Sequence, residues 1–281
     1  DNPTSSIIPL MNTFRDNQDY EADMFVNNHE AKEIMDDNTL LVVVDTNKPS
    51  ITQCEDLLYM AKMIVVLDHH RQGSDTIRNS VLSYIEPYAS SASEMVAEIL
   101  QYFTEGIRIR NVEADSIYAG IMIDTDNFMQ KTGVRTFEAA AFLRRCGADV
   151  TRVRKLFRED MNDYKARGET IRNAELFRGQ FAISECPSDY VDSPTVVGAQ
   201  AANELLNIVG VKASFVLTEY KGVIYISARA IDEVNVQIIM ERMGGGGHLN
   251  MAGCQLETVN MEGARNLLKS TLTEMQDGGE I

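Results

Sequence analysis

The sequence predicts an α/β protein: a mainly parallel sheet domain, joined by a helical linker to a smaller α/β domain. Three observations lead there. Apolar, β-branched runs at residues 40–44 and 64–67 alternate with segments of helical spacing, the pattern of right-handed crossovers and a parallel sheet. From Arg152 to Phe177 the composition turns charged and helical with no strand signal. Beyond it strands and helices alternate again, and 281 residues suffice for two cores.

In chain order, residues 1–38 are mostly polar and read as a helix or two around a short strand, with apolar clusters at Ile7-Ile8 and Met24-Phe25-Val26. Leu40–Val44 is a buried strand ending in Asp45, and Cys54–Lys62 a short helix. Ile64–Leu67, a second buried strand, runs into Asp68-His69-His70. Residues 75–87 are loop and a short strand, and a helix follows from Ser90 to Tyr102. Ala119–Ile123 ends in Asp124 and repeats the apolar-run-to-acid pattern of a third buried strand, yet residues 113–122 also carry helical spacing. An amphipathic helix at 136–146 stops at Gly147.

In the second half, strands are expected at 180–184, 213–219 and 223–228, the last two joined by a turn at Tyr220-Lys221-Gly222. Helices are expected at 197–207, 236–243 and 262–275. The domain boundaries read 1–157, a linker at 158–177, and 178–281.

Charge and cysteine usage exclude several classes. With 26 Lys plus Arg against 42 Asp plus Glu, a net charge of −16 argues against duplex nucleic acid or anionic membrane surfaces. Four cysteines without a CxxC pair make neither a zinc ribbon nor a disulfide framework, and fit a cytoplasmic setting. No apolar run approaches the roughly 20 residues of a membrane helix, so direct membrane contact is not expected. The start at Asp1, without an initiator Met, suggests an excised fragment.

The chemistry concentrates where the apolar runs end, the edge at which open α/β sheets bind ligands. Asp45, His69 and Asp124 together offer carboxylate oxygens and an imidazole nitrogen, a donor set suited to harder divalent ions, manganese especially. His70 can face a substrate as acid or phosphate donor, and Asp68 can orient a histidine by hydrogen bonding. Taken alone, an Asp-His-His is as often a turn with solvated histidines. Matching acids at 45 and 124 favour the site.

Gly244-Gly245-Gly246-Gly247 is either a flexible linker or, with His248 directly after it, a run of backbone N–H groups that cradles a phosphate. Arg229 is a charged partner for such a ligand or a surface arginine. Arg144-Arg145 and Arg152-Arg154-Lys155 either approach substrate or, the reading favoured here, form the face of a linker helix.

In order, Val42-Val43-Val44-Asp45, Asp68-His69-His70, Gly120-Ile121-Met122-Ile123-Asp124-Thr125-Asp126-Asn127-Phe128 and Gly244–His248 resemble the DHH phosphoesterases with their DHH-associated second domain. Within the family, Glu86–Ser91, Arg135–Ala140, Ile226–Arg229 and Asn235-Val236-Gln237 are most similar to the cyclic-di-AMP phosphodiesterases. The resemblance implies a DHH domain at 1–157 and a substrate-binding domain at 178–281. It also implies two manganese ions, with Asp45, His69 and Asp124 as ligands and His70 and Asp68 as catalytic residues. Arg229, Gly244, Gly245, Gly246, Gly247 and His248 would hold the nucleotide. The implied reaction is hydrolysis of cyclic-di-AMP to pApA. A nanoRNase or pAp phosphatase of the same superfamily, and a non-catalytic dinucleotide-binding module, stand as alternatives, and a homodimer stays open.

One departure bears on activity. The family's His-x-x-x-Asp-x-Asp set, which supplies further metal ligands, is not in this sequence; the earliest histidine, His29, has no such aspartates after it. The expectation is a truncated chain with weak or single metal binding and impaired activity, cut from a membrane-anchored parent whose catalytic part faces the cytoplasm.

Overall fold

The computed structural model describes residues 7–21, 23–103 and 106–281. The chain divides into two compact units, Asp1–Arg158 and Glu159–Ile281.

The first unit opens with α1 (Ile8–Arg15) and α2 (Asn28–Ile34), the latter started by a capping box in which Asn27 and Glu30 satisfy each other's backbone N–H groups. The short strand expected here is not found among the described residues; Met24-Phe25-Val26 lies in irregular backbone. Strand β1 (Leu40–Val44), helix α3 (Asp56–Met60), strand β2 (Met63–Asp68) and strand β3 (Leu82–Ile85) follow. The three strands form a parallel sheet in the order β1-β2-β3.

Side chains alternate across this sheet. Val43, Ile64 and Val66 point into a core completed by Leu58 and Ile77. The opposite positions on β1, Leu40, Val42 and Val44, are about half exposed at 52, 48 and 48%. The first run is therefore an edge strand with one open face rather than a buried strand. Its apolar composition describes both faces and cannot reveal which is covered.

Helix α4 (Ala92–Phe103) precedes α5 (Asn111–Asp124), α6 (Val134–Arg145) and α7 (Val150–Leu156). The third apolar run, Ala119–Ile123, belongs to α5, which settles the two readings for helix. A five-residue apolar stretch has no period of its own. Here Ala114, Tyr118, Ile121 and Met122, spaced at i, i+4, i+7 and i+8, bury one continuous helical face together with Ala139 and Leu143 of α6. Arg152 is a clamp on this bundle, its Nε 2.6 Å from Asp115 Oδ2 and its guanidinium donating to the Gly147 carbonyl.

The second unit comprises α8 (Met161–Arg172), β4 (Glu175–Phe177), β5 (Phe181–Cys186), α9 (Pro194–Leu205), β6 (Ala213–Tyr220), β7 (Val223–Ala230), α10 (Val236–Arg242), β8 (Gly246–His248), β9 (Met251–Leu256) and α11 (Met261–Asp277). Its sheet has the order β4-β5-β6-β7-β9-β8, with β5 and β6 parallel across the α9 crossover and the other pairs antiparallel. Lys221 (φ 52°) and Gly222 (φ 79°) make the two-residue turn between β6 and β7, where positive φ at both positions suits the strands' twist.

Period-2 alternation again sorts the core. Ile183, Phe215 and Ile226 face α10 and α11 through Ile239, Leu268 and Leu272, whereas Ala182 and Val216 face α8 and α9 through Ala166, Ala201 and Leu205. The stretch from Arg152 to Phe177 is thus not helical throughout: α8 packs onto this sheet, and residues 175–177 are a strand paired with β5. Among the described residues no helix is long and apolar enough to cross a membrane.

Candidate metal centre

Of the three residues expected to converge, Asp45 and Asp124 each come near His69, Asp124 by a different route, while the set in mutual ligand reach among the described residues is Asp45, His69 and His70, without Asp124. Asp45 follows β1 and His69 follows β2, while Asp124 closes α5. His69 Nε2 lies 3.2 Å from Asp45 Oδ1 and 3.9 Å from Asp124 Oδ2. Asp45 adopts φ 66°, a left-handed conformation that short Asp tolerates and that turns its side chain out of the strand's alternation. Asp45, His69 and His70 each offer a ligand atom within 4.8 Å of the others.

The electrostatics are those of an acid-rich cradle. The hydrogen bond from His69 holds Asp45 below the usual carboxylate range, and that same bond raises His69. Asp124 is pushed upward, first by burial and then by the charge of Asp45. Two carboxylates flanking one imidazole leave excess negative charge, which a divalent cation would relieve.

The imidazoles are oriented separately. His69 Nδ1 lies 3.3 Å from the Ala89 carbonyl, so Nδ1–H donates there, and Nε2, which faces Asp45, is the atom that would bind a metal ion in place of its proton. His70 Nδ1 is 2.7 Å from Asp68 Oδ1, and the fully buried Asp68 also accepts from Asn47 Nδ2 at 2.5 Å. Asp68 thus orients His70. The donor set fits a divalent ion.

Sequence reasoning passed over Asn47 and Glu94. Asn47 stands two residues after Asp45 and ties Asp68 to the His70 carbonyl at 3.3 Å; its only sequence signal is that proximity. Glu94 is buried at 1% exposure and accepts from Ser90 and Thr136, partners that only the folded chain brings together.

The other predicted residues lie in the second unit. Arg229, on β7 between Ser214 of β6 and Met251 of β9, is half-buried. Its Nη1 donates to the Ala228 carbonyl at 2.9 Å, its Nε has no partner, and burial lowers its pKa. Among the described residues no carboxylate pairs with it. This is not a solvated surface arginine.

The glycine run is no flexible linker either. Gly244 (φ 83°) ends α10, and β8 pairs with β9. A Cβ on Gly245 would stand 2.1 Å from the Gly253 carbonyl oxygen, and one on Gly247 would stand 2.5 Å from Ala252 Cα, so glycine is required at both by the closeness of β9. His248 is exposed at the end of β8, the edge strand of the sheet.

Comparison with known proteins follows the same division. Residues 3–121 match the DHH family, N-terminal domain, and residues 181–274 match the DHHA1 domain. Cyclic-di-AMP phosphodiesterase GdpP of Bacillus subtilis (strain 168) is 43% identical over 259 residues, which are 91% of this chain and 39% of the relative. Cyclic-di-AMP phosphodiesterase PdeA of Listeria monocytogenes serotype 1/2a (strain 10403S) is 41% identical over 243 residues, 86% of this chain and 37% of the relative. The chain therefore spans less than two-fifths of the length of these relatives. An exopolyphosphatase-related protein from Bacteroides fragilis shares the fold, with a TM-score of 0.77 at 21% identity over 89% of this chain and 75% of that one. The chain belongs to the DHH family, a DHH domain followed by a DHHA1 domain.

Proposed function

We propose that this chain carries the catalytic part of a phosphodiesterase that hydrolyses cyclic-di-AMP to linear pApA, with manganese as the metal. The observation that carries the reading is the approach of Asp45 and Asp124 to His69 Nε2, at 3.2 and 3.9 Å, where two parallel strands and α5 end. Similarity to two cyclic-di-AMP phosphodiesterases supports the substrate.

Asp45, His69 and Asp124 hold the ion. A bound divalent ion supplies an acidified water for attack and neutralises charge on the phosphodiester. His70, with Nδ1 committed to Asp68, presents Nε2 outward to donate a hydrogen bond or a proton to the phosphate. In the second unit, the carboxylate-free guanidinium of Arg229 supplies positive charge for a phosphate, and Gly244–Gly247 with His248 hold the nucleotide. The same reading sets the catalytic part on the cytoplasmic face of a membrane-anchored parent.

Three ligands cannot complete two sites, and the His-x-x-x-Asp-x-Asp set is not in these 281 residues. Calorimetric titration with Mn²⁺ is expected to show one weak site; two tight sites, or hydrolysis of cyclic-di-AMP at the rate of the longer relatives, would overturn that. With the missing ligands restored, faster cleavage of pApA than of cyclic-di-AMP would favour a nanoRNase. Dinucleotide binding that survives chelation, without cleavage, would favour a binding module.

A further inference from the structure

The peptide group between Ala89 and Ser90 has both its ends engaged. Its carbonyl oxygen lies 3.3 Å from His69 Nδ1, and its N–H donates to Glu94 Oε2 at 3.3 Å. The same Glu94 oxygen accepts from Ser90 Oγ at 2.5 Å and from Thr136 Oγ1 at 2.6 Å. Thr136 Oγ1 in turn accepts from the Gly133 N–H, which leaves its proton for Glu94. Glu94 is 1% exposed, and its backbone N–H is capped by Ser91 Oγ at 3.0 Å.

Arg135 fixes the surrounding turn from outside, with contacts of 2.7 Å to Glu98 and 3.2 Å to Glu86. The Glu86 N–H donates to the Asp68 carbonyl at 2.9 Å, and the Ala89 N–H to the Glu86 carbonyl at 3.0 Å. A buried carboxylate is therefore wired by one peptide group to an imidazole that would bind metal.

We propose that Glu94 is a positioning residue for His69, acting through the Ala89–Ser90 peptide. A negative charge at the N–H end of a peptide polarises its carbonyl and makes that oxygen a stronger acceptor. The Ala89 carbonyl then holds the proton on His69 Nδ1, so that Nε2, beside Asp45 and Asp124, is the nitrogen that would exchange its proton for a metal ion, with greater donor strength. A carboxylate costs much to bury, and three donors on one oxygen offset that cost. A purely structural tie between α4 and α6 could be made by a neutral amide.

This inference rests on the metal-site reading above, and two measurements keep the failures of the two apart. The first uses metal-free chain and the ¹H chemical shift of the His69 Nδ1–H at one fixed, mildly acidic pH. Wild type is expected to show a downfield, hydrogen-bonded Nδ1–H, and Glu94→Gln, which keeps an oxygen acceptor but removes the charge, an upfield shift of that proton. An unchanged Nδ1–H shift in Glu94→Gln would overturn the proposal. The second is Mn²⁺ affinity by calorimetry or spin-echo EPR, where Glu94→Gln is expected to bind about 10-fold more weakly, the low end for a partner that orients a metal-bound histidine.

Equal Mn²⁺ affinity with a shifted Nδ1–H signal would overturn the effect on metal binding. Failure of wild type to bind Mn²⁺ at all would overturn the metal-site reading, and the Nδ1–H signal would still decide the role of Glu94. Should Glu94→Gln not fold, Ser90→Ala removes the 2.5 Å anchor while sparing the carboxylate. It is expected to move both readouts in the same direction, Mn²⁺ affinity by about 3-fold, and no movement in either would overturn the proposal.

Discussion

Asp45 combines two demands in one residue: a left-handed backbone and a carboxylate facing His69. Asn shares the tolerance for φ 66°, whereas Ala does not, at a cost of roughly 1 kcal/mol. Asp45→Asn is expected to keep the melting temperature of wild type and to lose Mn²⁺ binding at least 10-fold by calorimetry, while Asp45→Ala loses both. Equal Mn²⁺ affinity in Asp45→Asn would remove Asp45 from the ligand set. Cys254 tests burial alone. Enclosed at 5% exposure in the core below β9, its thiol is pushed up to about 11 by desolvation. An unfolded thiol ionises near pH 8.5, so above that pH the unfolded chain releases its proton first and the folded chain keeps its own. Stability is therefore undiminished below about pH 8.5 and falls between there and about 11, by about 2 kcal/mol at pH 10. Urea unfolding from pH 8 to 10 should show this slope flattened in Cys254→Ala; parallel curves would refute it. At this scale Asp45 and His69 were legible because an apolar run announces the strand end that carries them. Asp124 was legible by the same signal, although the run was helix. Glu94 was not, because its partner Thr136 stands 42 residues away and only tertiary packing joins them.

At the scale of elements, the β8–β9 pairing depends on two missing side chains. A Cβ at Gly245 or Gly247 meets backbone atoms at 2.1 to 2.5 Å, and backbone cannot step aside as a flexible side chain can. Gly245→Ala and Gly247→Ala are each expected to cost roughly 1–3 kcal/mol or more in chemical denaturation, whereas Gly246→Ala, with nothing within 4 Å, is expected to be near neutral. Equal effects at all three positions would show that the pairing does not require close approach. Four consecutive glycines have no hydrophobic period, so the sequence could mark the run as special but not as strand. The same lack of side-chain pattern hid β4, three residues long, behind the charged helix before it. By contrast, β5, β6 and β7 carry apolar residues on both faces, and their positions were legible throughout. Strand β1 looked like them but has only one face covered, since a run of Leu and Val says nothing of what lies against it.

For the whole molecule, two units with separate cores imply separable folding. The sheet of the second unit is covered on one face by α10 and α11 and on the other by α8 and α9, all within Glu159–Ile281. Residues 159–281 expressed alone are therefore expected to melt in a single cooperative transition followed by circular dichroism. A non-cooperative melt with dye-binding apolar surface would show that this core needs the rest of the chain. Beginning the piece at residue 178 would strip α8, whose Ala166 sits in the core, and should lower the midpoint sharply. A module closed on itself in this way is free to be exchanged as a cassette during evolution. Under the proposed division of labour, selection could rework the loops and strand ends that grip a nucleotide while the residues around His69 stay unaltered, so new substrates would be reached without reinventing the cleavage chemistry.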